Sequence, residues 1–427
     1  MYLGNSRLLQ GKTTNEVVLG EWLAVAPENA TNGQYGTTGT ESEVYTMEWV
    51  VSQDVLFVGG KFNDIVNGST TSSANSIAMF DDGWKSLTGI NGATAGVREI
   101  SLGQNNLGTV HAIRDIRNSG DTKTMLIGGE FTFAGGIQRD SDLNLAQYSL
   151  GIGWTGQAAS INADGRVLSI SNVDFDGSGI TTYFGGEFGN VGGNNFSLSL
   201  GAYRYNTSIN TSSLTSLGSN FDNDSFPIIS VLNDTVKDKL YVYYSDNDST
   251  SGYTIRKYEY NGTSLGQTAT AGNAGVFQEP ISQNHMIQID SNYVYILTPK
   301  KVYYSNPNTS FNIFEVSPFG SLDKMTEINS VLYNSGTHTY LLVSLQDNSS
   351  SNIKFYKLSD NLVSGTEKII PVPDGLKGTG SKINAIAVNQ NDGTVYVGGK
   401  FVFRDSNGNT AWNVAKFKPS PLKFNPK

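Results

Sequence analysis

The sequence predicts an all-β fold, a seven-bladed β-propeller of four-stranded antiparallel blades, on three observations. An apolar segment closed by Gly-Gly recurs, an aromatic segment follows it at a near-constant distance, and no stretch carries the 3.6-residue apolar period of a long helix. Apolar residues are 38% of the 427, and 48 glycines join them, which is the make-up of a globular chain with length to spare for a core.

The first segment reads VLFVGGKF (Val55 to Phe62), MLIGGEF (Met125 to Phe131), TYFGGEF (Thr182 to Phe188) and VYVGGKF (Val395 to Phe401). The second reads IAMF (Ile77 to Phe80), LAQY (Leu145 to Tyr148), LGAY (Leu200 to Tyr203) and VAKF (Val414 to Phe417), its aromatic 18 to 21 residues after the first glycine. Degenerate copies of the second segment stand between: IRKY (Ile255 to Tyr258), FNIF (Phe311 to Phe314) and IKFY (Ile353 to Tyr356). The final aromatics step by 68, 55, 55, 56, 42 and 61 residues, which counts seven units. The step of 42, from Phe314 to Tyr356, leaves room for a blade of only three strands.

Each unit also has a strand candidate ahead of its Gly-Gly segment: YTMEWVV (Tyr45 to Val51), VHAIRDI (Val110 to Ile116), VLSISNV (Val167 to Val173) and INAIAVN (Ile383 to Asn389). Ser119-Gly120, Asp176-Gly177 and Asp392-Gly393 supply the hairpin turns between them. A Trp strand closes two units, at DDGWKSL around Trp84 and GIGWTGQ around Trp154. Strand, hairpin, Gly-Gly strand, long loop, aromatic strand, turn and Trp strand make a propeller blade.

The last unit lacks its own Trp strand, since only a Pro-rich tail follows Phe417. LGEWLAV (Leu19 to Val25) has the form of the missing strand, so pairing it with the Phe417 strand closes the ring and hides two edges. The expected organisation is an N-terminal arm over 1–15, a propeller over 16–418 with blade seven completed by about 19–25, and a tail over 419–427. The prolines of the tail favour an extended conformation suited to docking on another subunit.

These units resemble the Gly-Gly-x-Phe propeller repeats of fungal cortical polarity-marker proteins and of bacterial and phage surface proteins. Phe131-Thr132-Phe133-Ala134-Gly135-Gly136 and Phe188-Gly189-Asn190-Val191-Gly192-Gly193 show the loop form of that repeat. The resemblance implies the fold and is silent on activity, because propellers host many unrelated roles. The physical sense of the motif is independent of the family: glycines let neighbouring backbone approach, and the Phe then buries apolar area between blades.

Function is read mostly by exclusion. A net charge of −9 with 16% charged residues argues against nucleic acid as a partner, and no run of about 20 apolar residues supports membrane insertion. With no cysteine there are no disulfides, thiolate metal sites or cysteine nucleophiles. The histidines His111, His285 and His338 fall in different units, with no metal-ligand spacing, and no Gly-x-Ser-x-Gly elbow occurs. Asn172-Val173-Asp174-Phe175-Asp176-Gly177 imitates a calcium loop, but Tyr183 stands where a bidentate Glu is needed. Asp222, Asp224, Asp246, Asp248 and Asp405-Ser406-Asn407-Gly408 read as acidic turns, and Asp405 to Trp412 matches a sialidase-type box only loosely. The tyrosines Tyr241, Tyr243, Tyr244, Tyr293, Tyr295, Tyr303 and Tyr304 read as core packing, with an aromatic interface as the alternative. No catalytic residue, cofactor or metal ligand is assigned.

The polar, Asn-rich composition suits a protein outside a cell, yet the opening MYLGNSRLLQGKTTNEVVLGEW lacks the order of a secretory signal. Two readings fit: a natural signal removed and a Met added, or a chain made in a cytoplasm and exported inside a particle, which satisfies both observations without a further assumption. Tyr2-Leu3-Gly4-Asn5 resembles the short starts of some phage tail and fibre proteins. The expected role is therefore a non-enzymatic structural protein of a bacteriophage virion, a tail or appendage component for assembly or host attachment. Its partners are other virion proteins, copies of itself, or a host surface glycan or protein. The alternative is a cell-surface adhesin-type propeller, extracellular, binding glycan or protein.

Overall fold

The computed structural model describes residues 16–420, apart from stretches between elements of which the longest are 117–123, 155–162, 217–227, 271–285, 306–312 and 316–324. Within the strands lying between 206 and 369 the backbone is described, with side chains at a few positions. Among the described residues there is no α-helix, and one 3-10 turn, Asp374–Leu376.

The repeats fold as antiparallel sheets whose strands follow chain order. Sheet A holds Glu43–Val50, Val55–Lys61, Ile77–Phe80 and Trp84–Ser86. Sheet B holds Thr109–Asp115, Thr124–Glu130, Leu145–Ser149 and Gly153–Trp154. Sheet C holds Arg166–Ile170, Gly179–Glu187, Leu200–Asn206 and Thr211–Ser216. Sheet D holds Ile228–Asp234, Lys239–Asp248, Gly252–Tyr260 and Leu265–Thr270. Sheet E holds Met286–Asp290, Tyr293–Leu297, Val302–Ser305 and Ile313–Glu315. Sheet F holds Met325–Ser335, His338–Asp347, Ser351–Ser359 and Leu362–Pro371. Sheet G holds Lys382–Val388, Val395–Arg404 and Thr410–Pro419, and Gly20–Ala24 pairs antiparallel on its outer edge.

Two expectations change. Ile313 and Phe314 of FNIF lie on the fourth strand of sheet E, and the third is Val302–Ser305, with Tyr304 opposite Phe314 in register. The short sequence step therefore came from taking an outer strand for a third strand, and sheet F has four strands rather than three. The last strand also runs one residue beyond the expected boundary: Pro419 pairs with Gly20, and Ser420 N–H donates to the Leu19 carbonyl at 2.8 Å. Ahead of this pairing, Glu16–Val17 runs parallel to Leu362–Pro371 and extends sheet F. The expected arm over 1–15 and the tail beyond 420 lie outside the described residues.

The two glycines of each pair do different work. A Cβ on Gly59 would lie 2.5 Å from Val110 Cγ1, one on Gly128 2.5 Å from Val167 Cγ1, and one on Gly398 2.6 Å from Val44 Cγ1. Each of those valines belongs to the first strand of the next sheet, with sheet G meeting sheet A. The second glycine faces its own sheet. A Cβ on Gly60, Gly129, Gly186 or Gly399 would strike the carbonyl oxygen of Glu43, Thr109, Arg166 or Lys382. There the register slips, between Val44 and Thr46, Val110 and Ala112, Val167 and Ser169, and Ile383 and Ala385. At these four bulges the bent strand brings backbones so close that only hydrogen fits.

A third repeated feature follows the loop. Ser76, Asn144, Ser199 and Asn413 stand immediately before the second segment with φ of 70°, 43°, 45° and 62°. Their carbonyls accept from the second glycine in the first three units: Gly60 N–H to Ser76 at 3.0 Å, Gly129 to Asn144 at 2.9 Å, Gly186 to Ser199 at 3.1 Å. The side chain holds the Phe of the motif. Phe131 N–H donates to Asn144 Oδ1 at 2.8 Å, Phe401 N–H to Asn413 Oδ1 at 3.0 Å, and Phe188 N–H to Ser199 Oγ at 3.2 Å. Left-handed backbone strains most L residues, and a short polar side chain bonding locally offsets that strain.

Tryptophans join the sheets at their outer edges. Trp84 Nε1 donates to the Val25 carbonyl at 2.8 Å, Trp154 Nε1 to Leu87 at 2.9 Å, and Trp22 Nε1 to Pro371 at 2.8 Å. Val25 and Leu87 each lie three residues after the Trp of the preceding sheet. Trp22 sits opposite Phe417 as Trp84 sits opposite Phe80 and Trp154 opposite Tyr148. The ring centroids of these pairs are 5.5, 5.6 and 5.4 Å apart. Apolar burial is accordingly divided between sheets, with clusters joining sheets F, G and A, sheets A and B, and sheets B and C.

Candidate functional site

The residues singled out from the sequence are dispersed. His111 lies on the first strand of sheet B, 8% exposed, its ring stacked on Tyr45 of sheet A at 6.0 Å and 28°. Burial, then the nearby Arg166 charge, pushes its pKa down to about 4, so the ring is neutral near pH 7. Burial, then Glu43 and Glu41, raises the Tyr45 hydroxyl to about 12. This pair is a stacked contact between sheets. His338 opens a strand of sheet F, and His285 lies outside the described residues. No group of three or more His, Cys, Asp or Glu able to hold a metal occurs among the described residues.

Asp405 is the best defined of the acidic candidates. Its Oδ1 accepts from Asn407 N–H at 2.9 Å and Asn409 N–H at 2.8 Å, and its Oδ2 from Ala24 N–H at 3.1 Å and Asn409 Nδ2 at 3.3 Å. Both oxygens are thus occupied by protein donors, and one bond ties the N-terminal strand to the loop of sheet G. Asp246 and Asp248 are not turn residues. They continue the strand Lys239–Asp248 and pair with Thr254 and Gly252, because the hairpin is longer than the turn signal suggested. Asp174–Phe175 pairs with Ile180–Thr181, which makes that segment a hairpin extension, while Asn172, Asp176, Gly177, Asp222 and Asp224 lie outside the described residues. Of the tyrosines, Tyr295 is fully buried; Tyr241, Tyr243, Tyr244, Tyr293, Tyr303 and Tyr304 are placed by backbone in strands of sheets D and E.

The arrangement that the sequence did not flag is an outer layer built by inserted strands. Beyond Gly398 the ladder of sheet G breaks register and resumes with Val402 opposite Trp412 and Arg404 opposite Thr410. Gln34–Thr38 lies parallel to Thr410–Trp412 and antiparallel to Asp64–Gly68, which turns back into Thr70–Ser73. A related layer stands beside sheet B, where Val97–Ser101 pairs with Gln104–Leu107 and with Phe133–Ala134. Because strand order is the same in every sheet, these insertions share the side to which the Gly-Gly strands point.

The layer on sheet G has two unlike faces. Tyr35, Ile65, Phe403 and Ala411 are buried against the body. The alternate residues Lys400, Val402 and Arg404 are exposed, Val402 at 48%. Half-buried Trp412 completes this face, its Nε1 donating to Gln34 Oε1 at 3.3 Å. The period-2 alternation of Lys400-Phe401-Val402-Phe403-Arg404 was the available signal.

No protein-family model matches the chain, and no curated protein does. Among solved structures it is similar to the Dos1 propeller, at 10% identity over 91% of this chain and 95% of that one, with a TM-score of 0.51. The extracellular domain of BT4673 from B. thetaiotaomicron is 14% identical over 90% of this chain, with a TM-score of 0.48, and this chain spans 39% of its length. The N-terminal domain of Nup159 is 9% identical, covering 94% and 98%, with a TM-score of 0.39. At these identities the Dos1 likeness shows the fold alone, a β-propeller. No helix among the described residues is long and apolar enough to cross a membrane.

Proposed function

We propose that the chain is a single seven-bladed propeller of the Gly-Gly-x-Phe class, its ring closed by Gly20–Ala24 acting as the outer strand of blade seven. The equivalent positions of Trp22, Trp84 and Trp154 support this, as does the contact of Gly398 with Val44 across the seam. Its role in this proposal is non-enzymatic. The chain is a structural component of a phage virion, in the tail or an appendage, and works by presenting the inserted outer layer to a partner during assembly or host attachment.

The observation that carries the binding role is that outer layer. The long loop after the second strand of sheet A is itself built into strands, Asp64–Gly68 and Thr70–Ser73, and Thr70 to Ser73 are exposed throughout. The polar composition, rich in Asn, Ser, Thr and Gly, supports a protein that works outside a cell, as a particle component does. The test is a mass-spectrometric inventory of purified particles from the source, with immunogold labelling of intact ones. Labelling of tails or appendages is expected. Absence from particles, with the protein on cell surfaces instead, selects the adhesin alternative.

A further inference from the structure

We infer that the exposed face of the sheet G hairpin, formed by Lys400, Val402, Arg404, Trp412 and Gln34, is a binding site for a carboxylated polysaccharide. The inference names a ligand class for the attachment role and rests on that reading.

The argument begins with placement. Lys400, Val402 and Arg404 alternate with buried residues along one strand and are all exposed, and in the regular ladder Val402 and Arg404 leave the same face about 7 Å apart. Two cations therefore flank an apolar residue. Val402 lies directly opposite Trp412, so the indole sits beside the centre of the row. Gln34 holds the indole from the other side through its Nε1–H, which fixes the ring against rotation. The face is rigid, because its reverse carries the buried Phe403, Ala411 and Tyr35 and its end is held by the saturated Asp405.

The chemistry of the row selects the ligand. A sugar ring has an apolar face of C–H groups, which packs on an indole, and an edge of hydroxyls, which an amide and a guanidinium can bond. The two cations add a requirement for negative charge at intervals along the ligand. Arg404 offers a fork that matches a carboxylate with two parallel bonds. The chain as a whole carries −9, so a cationic row is opposite to the prevailing sign and complements an anionic ligand locally. A neutral glycan leaves both cations unused. A single-stranded nucleic acid would need a longer cationic track with several stacking platforms.

The test uses the full chain and three immobilised polymers: polygalacturonate, neutral dextran and a single-stranded dT oligonucleotide. Wild type is expected to bind polygalacturonate, weaken with salt, and ignore dextran. Arg404→Glu, at an exposed position, should weaken binding at least tenfold with an unchanged melting temperature. Trp412→Ala should also lose binding; if it fails to fold, Val402→Asp on the same face replaces it. Lys85→Ala, at an exposed ion pair with Asp81 on the blade's outer edge, should leave binding unchanged. Equal binding by Arg404→Glu, equal retention on dextran, or tighter binding to dT than to polygalacturonate overturns the inference. Failure here with the protein still found in particles leaves the virion reading standing. Binding here with the protein absent from particles removes that reading alone.

Discussion

Replacing Gly129 by Ala, beside Gly128→Ala as its partner experiment, separates the two roles of the Gly-Gly pair. At Gly128 the new Cβ would meet side chains, with Val167 Cγ1 at 2.5 Å, Val167 Cβ at 3.1 Å and Ile170 Cδ1 at 3.3 Å. Those atoms belong to the neighbouring sheet and can give by rotamer and small shifts. At Gly129 the new Cβ would strike the Thr109 carbonyl oxygen, with the Thr109 carbonyl carbon at 3.0 Å. Backbone at a bulge cannot move aside without breaking the ladder. Overpacking costs about 1–3 kcal/mol, and the contacts place Gly128→Ala near the low end and Gly129→Ala near the high end. Unfolding entropy of about 2.1 cal/mol/K per residue, over 427 residues, gives roughly 0.9 kcal/mol per degree. The expected drops in Tm are about 1 °C for Gly128→Ala and about 3 °C for Gly129→Ala, measured by differential scanning calorimetry. Gly128→Val should fall between or below them, since two further methyls must find room. The reasoning is refuted if Gly129→Ala melts with wild type, or if Gly128→Ala is the more damaging.

Protonation of buried His111 should destabilise the fold. Its folded pKa of about 4 lies below 6.5, so the unfolded chain binds the proton first; this contribution is whole above pH 6.5 and is lost as pH falls towards 4. The gap amounts to about 3 kcal/mol, and His111→Phe should flatten that part of the Tm–pH curve relative to wild type. Asp405→Ala should cost about 1–3 kcal/mol by leaving the Ala24 and Asn409 N–H groups without their acceptor, and should speed proteolysis near residue 24. Trp22→Phe keeps the aromatic contact with Phe417 but removes the bond to Pro371; a loss of about 1 kcal/mol in urea unfolding is expected, and no loss would show that bond to be idle.

The legible parts of the fold were those where backbone geometry forces a residue type. Gly129 and Gly399 admit nothing larger than hydrogen, so in sheets A, B, C and G the pair marks the bulge, and the strands around it could be placed within a residue or two. Trp22 was legible for the same kind of reason, because an outer-edge indole must reach the preceding sheet. Sheets D to F carry no Gly-Gly mark, and there aromatic spacing alone decided the assignment. Third and fourth strands both carry an aromatic at paired register positions, as Tyr304 and Phe314 do, so spacing could not tell them apart. Asp246 and Asp248 were misplaced because composition signals a turn while strand length is set by the partner, Gly252–Tyr260. The left-handed Asn144 and Asn413 could have been found as the small polar residue ahead of each aromatic segment, had that segment been started one residue earlier. The cationic hairpin face was written in plain alternation from Lys400 to Arg404, but lay past the motif that defines the repeat.

The central claim is that the two ends of the chain complete one ring, and a cross-link tests it most directly. Because the chain has no cysteine, Glu21→Cys with Lys418→Cys supplies two unique thiols at exposed, register-paired positions. A short bis-maleimide should join them within one molecule, giving a monomer whose digest contains a peptide from around residue 21 linked to one from around 418. Each single variant should give no such peptide. Thiols that react separately, or that link only between molecules, would show that Gly20–Ala24 does not close this ring.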